Sequence, residues 1–124
     1  MADILLIDDM NLVRGAIKAI LTRGGHAVTE ATTGEAGINI LKSRRFDLVV
    51  TDVLMPGHDG NDVVMFLDTM DERPPVLTIS GGATGIPADE ALRLAREKAN
   101  AVLTKPFVND EILSTVKRLL GGRG

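Results

Sequence analysis

Residues 4–9 read ILLIDD, four apolar residues followed by two aspartates. An unbroken apolar run of this length is typical of a strand that is covered on both faces of a parallel sheet. Three further runs end on polar residues in the same way: LVVTD at 48–52, VLTIS at 76–80 and AVLTKP at 101–106. Because ligands of open α/β folds bind just past the carboxyl ends of the strands, we expect these polar residues to converge on one crevice.

Helical patterns separate these runs. After the first run, apolar residues from Val13 to Leu21 recur at spacings of three and four and end before a Gly-Gly pair at 24–25, as in an amphipathic helix. Similar patterns cover 36–41, 63–70, 87–99 and 109–120. The more polar run at 27–31 predicts a strand at a sheet edge. The alternation predicts five βα units in a doubly wound α/β fold.

Two helix starts and two loop residues are predicted from local chemistry. Thr32 and Glu35 have the spacing of a capping box, and Asn109 is placed to cap the last helix. The two histidines, His26 and His58, are expected in solvated loops.

The composition excludes several classes of protein. The 124 residues fit a single domain, which we take to span 1–124. The absence of cysteine rules out disulfides and thiolate metal sites. The net charge of −3 comes without a basic stripe, and no apolar run approaches the ~18–20 residues of a membrane span. We therefore expect neither nucleic acid nor membrane as a partner, and, without a signal peptide, a cytoplasmic location.

The aspartate pair at 8–9 favours a divalent cation. Adjacent carboxylates repel each other, and Mg²⁺ relieves this repulsion because it binds carboxylate, water and phosphate oxygens. In the alternative, one aspartate caps the following helix and the other is solvated. From these two residues alone, both interpretations stay open.

Three other residues at strand ends point to the same kind of site. Asp52 ends a hydrophobic central strand, and a carboxylate can attack phosphorus to form an aspartyl phosphate. Ser80 offers a hydroxyl beside two glycines. Lys105 is held in an extended conformation by Pro106 and can offset phosphoryl charge. Each has an ordinary alternative as a turn or loop residue, but their joint position favours one shared site.

Together these residues resemble the response-regulator receiver domain of two-component signalling. The resemblance covers essentially the whole chain and rests on Asp8-Asp9, Asp52 with Met55-Pro56-Gly57 behind it, Ser80, and Lys105-Pro106-Phe107. It implies a flavodoxin-like (βα)5 sandwich whose five-stranded parallel sheet has the order 2-1-3-4-5. It also implies that Asp52 is phosphorylated from a phosphohistidine of a histidine kinase or a histidine phosphotransfer protein.

The resemblance implies two groups of site residues. The cation, Mg²⁺ with Mn²⁺ as a substitute, would be held by Asp9, Asp52, the Leu54 carbonyl and, through water, Asp8. The phosphoryl contacts and switch residues would be Ser80, Gly81, Lys105 and Pro106.

The sequence departs from the family pattern at the switch and at the positions that control water. Val102 stands where the family usually has an aromatic residue three positions before the lysine, so the usual aromatic relay is not expected. Leu54 and Gly82 lie two residues after Asp52 and Ser80. Because neither side chain can activate a water molecule, we expect slow self-dephosphorylation.

The predicted function is that of a stand-alone phosphoacceptor switch, a signalling domain and not an enzyme with turnover. We expect no output domain after Leu120, and we therefore expect the output to be contact with a downstream protein. The expected contact surface comprises the Pro87–Ala99 helix, the fifth strand and the last helix. Two alternatives stay open: a Mg²⁺-dependent phosphatase with an aspartyl nucleophile, and a receiver used only for docking. Haloacid-dehalogenase phosphatases place their second aspartate two residues after the nucleophile. Asp8 and Asp9 are adjacent instead, which disfavours the phosphatase alternative.

Overall fold

The computed structural model describes residues 2–52, 60–70, 72–80, 101–104 and 109–121. Within these ranges strands and helices alternate. The strands are β1 Asp3–Ile7, β2 Ala27–Ala31, β3 Leu48–Asp52, β4 Val76–Ser80 and β5 Ala101–Thr104. The helices are α1 Asn11–Arg23, α2 Gly34–Ser43, α3 Gly60–Asp68 and α4 Asn109–Gly121. The helix predicted at 87–99 lies outside the described residues.

The strands form one parallel sheet in the order β2-β1-β3-β4-β5, which confirms the predicted topology. β1 is paired on both sides, by β2 and by β3, and every residue from Ile4 to Ile7 is fully buried. β2 lies at an edge, and only Ala31 of its five residues is buried. The apolar run of β1 and the polar character of β2 thus follow from central and edge positions.

Two apolar layers cover the two faces of the sheet. Because successive side chains of a strand point to opposite faces, β1 contributes Ile4 and Leu6 to one layer and Leu5 and Ile7 to the other. The first layer also contains residues of α1 and α4, among them Ile17, Leu21, Ile112 and Val116. The second contains residues of α2 and α3, among them Leu41, Val63 and Leu67. Helices therefore cover both faces of the sheet, as the doubly wound fold requires.

The helix ends show one prediction confirmed and two shifted by a residue. α1 ends at the Gly-Gly pair as predicted, and Gly25 has a φ of 92°, the left-handed backbone that glycine tolerates. At α2, the cap is Thr33, whose Oγ1 accepts from Ala36 N at 3.0 Å. The predicted capping box of Thr32 is therefore wrong by one position. Asn109 is the first residue of α4 and does not precede it.

α2 approaches β1 closely through a glycine. A Cβ atom at Gly37 would lie 2.9 Å from Cγ1 of Ile7 and still closer to its Cδ1. Only a residue without a side chain lets this helix backbone sit on the strand, immediately before Asp8.

In the described ranges of the chain, no helix is both long and apolar enough to cross a membrane.

Candidate metal and phosphoryl site

The register of the sheet brings three of the predicted residues, Asp8, Asp52 and Ser80, to one edge. Ile7 pairs with Thr51, so Asp8 and Asp52 are the next residues on neighbouring strands. Asp52 pairs with Ile79, and Ser80 follows at the end of β4. Since neighbouring strands lie about 4.8 Å apart, the backbones of Asp8, Asp52 and Ser80 form a short row at the carboxyl edge.

Asp8 is a buried carboxylate at this edge, 1% exposed. Its Oδ1 accepts from Met10 N at 2.9 Å, an Asx-type turn. Its backbone N–H donates to the Ala31 carbonyl at 3.1 Å. Met10 is the N-cap residue of α1 and makes no side-chain cap hydrogen bond. Neither aspartate is therefore the N-cap of α1. Because the Asp8 carboxylate is so deeply buried, its charge needs compensating partners.

Asp9 follows as a half-buried carboxylate. Among the side chains that the structure describes, no group of three or more His, Cys, Asp or Glu residues could hold a metal ion. Asp52, the third predicted carboxylate, is described only in its backbone. The described part of the donor set is two adjacent carboxylates, hard oxygen donors of the kind that Mg²⁺ prefers. The donor chemistry thus fits the predicted ion.

Arg14 connects this aspartate pair to β2. Its Nη1 donates to the backbone carbonyl of Asp8 at 2.9 Å, and its Nη2 donates to Oδ1 of Asn11 at 2.8 Å. Its Nε donates to Oε1 of Glu30 at 3.2 Å. Lys18 binds the other carboxylate oxygen of Glu30, also at 3.2 Å. One guanidinium therefore joins the peptide between the two aspartates to α1 and to the edge strand.

The charges of this network act on Glu30. The hydrogen bond from Lys18 holds the pKa of Glu30 below its ordinary value of 4.5. The bond from Arg14 acts in the same direction, against burial, which raises the pKa. The sequence prediction missed this network. Its trace in the sequence is the spacing of Arg14 and Lys18, four residues apart on one helix face.

Several predicted site residues lie outside the described residues: Leu54, Gly81, Gly82, Lys105 and Pro106. Val102 lies in β5, where its backbone pairs with Thr78. His58 also lies outside the described ranges. His26 is half-buried and its Nδ1 is buried without a hydrogen-bond partner, so this residue lies only partly at the surface. Burial lowers the pKa of His26 from its ordinary 6.5.

A cleft of about 810 Å³ lies at the opposite, amino-terminal edge of the sheet. Asp3, which begins β1, lines it, whereas Asp8 follows the end of the same strand. Two of its lining residues, Arg45 and Glu72, form an ion pair at 3.1 Å. The other lining residues include Leu41, Arg44, Phe46, Asp47, Thr69, Met70 and Pro74. None of the described lining residues is a predicted site residue.

Known proteins resemble the chain over nearly its full length. The family model of the response regulator receiver domain matches residues 4–117. The response regulator protein FleR of Pseudomonas aeruginosa is 34% identical over 118 residues, 94% of this chain and 24% of FleR. The transcriptional regulatory protein QseB of Haemophilus influenzae is 32% identical over 120 residues, 97% of this chain and 53% of QseB. The chain thus spans about a quarter to a half of these relatives.

A solved structure shows the same fold. The receiver domain of the sensor histidine kinase PA1611 from Pseudomonas aeruginosa, with a magnesium ion coordinated in its active site cleft, is 24% identical. It superposes with a TM-score of 0.86 and covers 97% of this chain and 98% of its own. The parallel sheet, its strand order and the family match over residues 4–117 agree, and the chain belongs to the response regulator receiver domain family of two-component signalling.

Proposed function

We propose that this receiver domain is a phosphoacceptor switch in which Asp52 takes a phosphoryl group from a phosphohistidine of a histidine kinase or histidine phosphotransfer protein. The observation that carries the proposal is the register of the sheet. It sets the ends of β1, β3 and β4, with Asp8, Asp52 and Ser80, side by side at one edge. A nucleophile, a cation-binding pair and a hydroxyl are the groups that phosphoryl transfer needs close together.

The proposed cation site consists of the Asp8, Asp9 and Asp52 carboxylates with the Leu54 carbonyl. Mg²⁺ is the proposed ion, and Mn²⁺, which takes similar oxygen ligands, a substitute. When bound, the ion supplies positive charge beside the phosphoryl oxygens. The burial of Asp8, at 1% exposure, supports the proposal, since a charged group in that position is stabilised by a cation.

The proposed transfer uses five residues of the chain. A carboxylate oxygen of Asp52 forms a bond to phosphorus as the phosphorus–nitrogen bond to the donor imidazole breaks. The imidazole nitrogen keeps the electron pair and takes up a proton. Ser80 donates a hydrogen bond to the phosphoryl oxygens, with Gly81 leaving room for them, and the Lys105 ammonium offsets their charge. Pro106 keeps the lysine backbone extended.

The proposed output is a change in which proteins the domain binds. Phosphorylation would favour one of two existing conformations, through the backbone that follows Ser80. Val102 cannot act as the aromatic relay. The proposed docking surface is the Pro87–Ala99 segment with β5 and α4. The domain promotes its own phosphorylation and slow dephosphorylation, without turnover of free substrates.

Amide chemical shifts, recorded with Mg²⁺ and beryllofluoride, a mimic of the phosphoryl group, test this function. We expect changes at Asp52, Ser80 and residues 81–87 that are lost in Asp52→Ala. A matched control is Asp47→Asn, since Asp47 lies at the opposite edge and accepts from Asp3 N at 2.8 Å. Changes that persist in Asp52→Ala contradict the proposal. Steady release of phosphate from simple monoesters would instead support the phosphatase alternative.

A further inference from the structure

We propose that Arg14 is a positioning residue for the divalent cation: it holds the peptide between Asp8 and Asp9 and thereby raises the affinity of the site for Mg²⁺. The inference rests on the proposed function, because it takes these two aspartates as cation ligands. Arg14 itself touches neither the cation nor the phosphoryl group in this scheme. It acts through the backbone that carries the ligands.

The contact that carries the inference is a hydrogen bond to the main chain. Nη1 of Arg14 donates to the Asp8 carbonyl at 2.9 Å. That carbonyl belongs to the peptide unit linking Asp8 to Asp9, so its orientation fixes one backbone dihedral of each residue. Those dihedrals set the directions in which both side chains leave the backbone. One hydrogen bond therefore acts on two predicted ligands at once.

The guanidinium is itself held on both sides. Nη2 donates to Asn11 Oδ1 at 2.8 Å and Nε donates to Glu30 Oε1 at 3.2 Å. The Arg14 side chain is only 14% exposed. A planar guanidinium offers its donors in a fixed fork, so these three acceptors, one backbone carbonyl and two side-chain oxygens, fix its position. Lysine, with one ammonium, cannot reproduce that geometry.

The carboxylate side of the aspartate pair is also restrained. Oδ1 of Asp8 accepts from Met10 N at 2.9 Å, and the Asp8 N–H is bound to Ala31. The bond from Arg14 holds the Asp8 carbonyl. The N–H, the carboxylate and the carbonyl of Asp8 are therefore all restrained. Residues that orient metal ligands in this way affect affinity strongly, by about 10–100-fold when they are removed.

The direction in which Mg²⁺ affinity changes when Arg14 is replaced distinguishes a positioning role from an effect of its charge. A cation beside a metal site repels the metal ion. If Arg14 acted through its charge alone, replacing it with a neutral residue would tighten Mg²⁺ binding. If Arg14 positions the ligands, the same replacement weakens binding. Lys18 provides a matched control, because it binds the same Glu30 carboxylate at the same 3.2 Å but has no bond to Asp8.

The test is a Mg²⁺ titration followed by the amide shifts of Asp9 and Met10 in the wild type, Arg14→Met, Arg14→Lys and Lys18→Met. We expect Arg14→Met to raise the Kd for Mg²⁺ by about tenfold and Arg14→Lys to raise it less. Lys18→Met should leave the Kd unchanged or lower it. In the metal-free protein, the Met10 amide shift should move in Arg14→Met and not in Lys18→Met. If Arg14→Met does not fold, Arg14→Gln takes its place.

Two outcomes overturn the inference and are distinguishable. If the wild type binds Mg²⁺ and both Arg14 variants bind it equally well or more tightly, the positioning role is wrong while the proposed function stands. If the wild type shows no Mg²⁺-dependent shifts at Asp9 or Met10, the proposed cation site fails, and the inference fails with it. Thermal unfolding of each variant shows whether a raised Kd comes from loss of fold.

Discussion

The close approach of α2 to β1 gives a stability prediction with an internal control. Replacing Gly37 with alanine puts a methyl group 2.9 Å from Cγ1 of Ile7. Ile7 is fully buried and belongs to the apolar layer between the sheet and α2 and α3, so it cannot turn away without displacing neighbours. Gly15, in α1, is exposed, and a Cβ there would meet nothing within 4 Å.

The expected magnitudes follow from two opposing effects. Alanine in place of glycine within a helix stabilises by about 1 kcal/mol, and this applies equally to both positions. Overpacking of a core costs about 1–3 kcal/mol, and this applies only at Gly37. Gly15→Ala should therefore raise the free energy of unfolding by about 1 kcal/mol. Gly37→Ala should lower it by about 0–2 kcal/mol, the overpacking cost less the helical contribution.

Urea unfolding followed by far-ultraviolet circular dichroism measures both values, since the chain has no Trp or Tyr for fluorescence. The difference between the two variants isolates the overpacking cost. Equal stability of Gly37→Ala and Gly15→Ala would show that the helix and strand can separate at no cost. That result would refute the account of why a glycine stands at this position.

Three further predictions concern a cap, a histidine and the phosphoryl lifetime. Thr33→Ala removes the acceptor for Ala36 N and should lower the free energy of unfolding by about 1 kcal/mol; unchanged urea midpoints contradict this. Because burial holds the pKa of His26 below 6.5 in the folded protein, His26 is protonated at a higher pH in the unfolded chain than in the folded protein. The free energy of unfolding should therefore decrease as the pH falls from about 6.5 through the pKa of His26 in the folded protein. The variant His26→Gln should lose this pH dependence; an identical pH profile of stability in both proteins argues against this prediction. Because neither Leu54 nor Gly82, two residues after Asp52 and Ser80 in the sequence, has a side chain that can activate water, Asp52 phosphate should decay slowly with Mg²⁺, and a half-life of seconds would be inconsistent with this.

The edge position of β2 was predictable because edge strands are less buried and more polar, whereas the full strand order was an implication of the family resemblance. β1 reads as an unbroken apolar run and β2 as a polar one, which places them at the centre and the edge. β3 and β4 extend to Asp52 and Ser80. These polar residues extend the ladder because their backbones pair with the next strands, and pairing is a property of neighbours in space. No pattern in the local sequence predicts which strands pair.

The cap of α2 shows why helix starts were less predictable. Thr32 and Thr33 are both suitable N-cap residues, and the local sequence does not choose between them. The close packing of Gly37 on Ile7 fixes the register of this helix against β1. With that register, Thr33 is the residue placed to accept from Ala36 N. A tertiary contact therefore decides a detail that capping chemistry leaves open.

The candidate site was predictable where it depends on strand ends and unpredictable where it depends on contacts between elements. Asp8, Asp52 and Ser80 were placed at one edge because parallel strands share their direction, and the register agrees. The Arg14–Glu30 bond joins residues 16 apart, on a helix and an edge strand. Charged residues on a helix face are ordinarily solvated, so nothing local marked this pair. The roles of the site residues stay predictions.

Transfer of a labelled phosphoryl group tests whether Asp52 is the phosphoacceptor. A phosphohistidine protein or a small phosphoramidate serves as donor, and incorporation is measured with and without Mg²⁺ in the wild type, Asp52→Asn and Asp47→Asn. We expect Mg²⁺-dependent labelling of the wild type and of Asp47→Asn, and none of Asp52→Asn. Labelling of Asp52→Asn to the wild-type level, or labelling of the wild type that does not depend on Mg²⁺, would contradict this expectation.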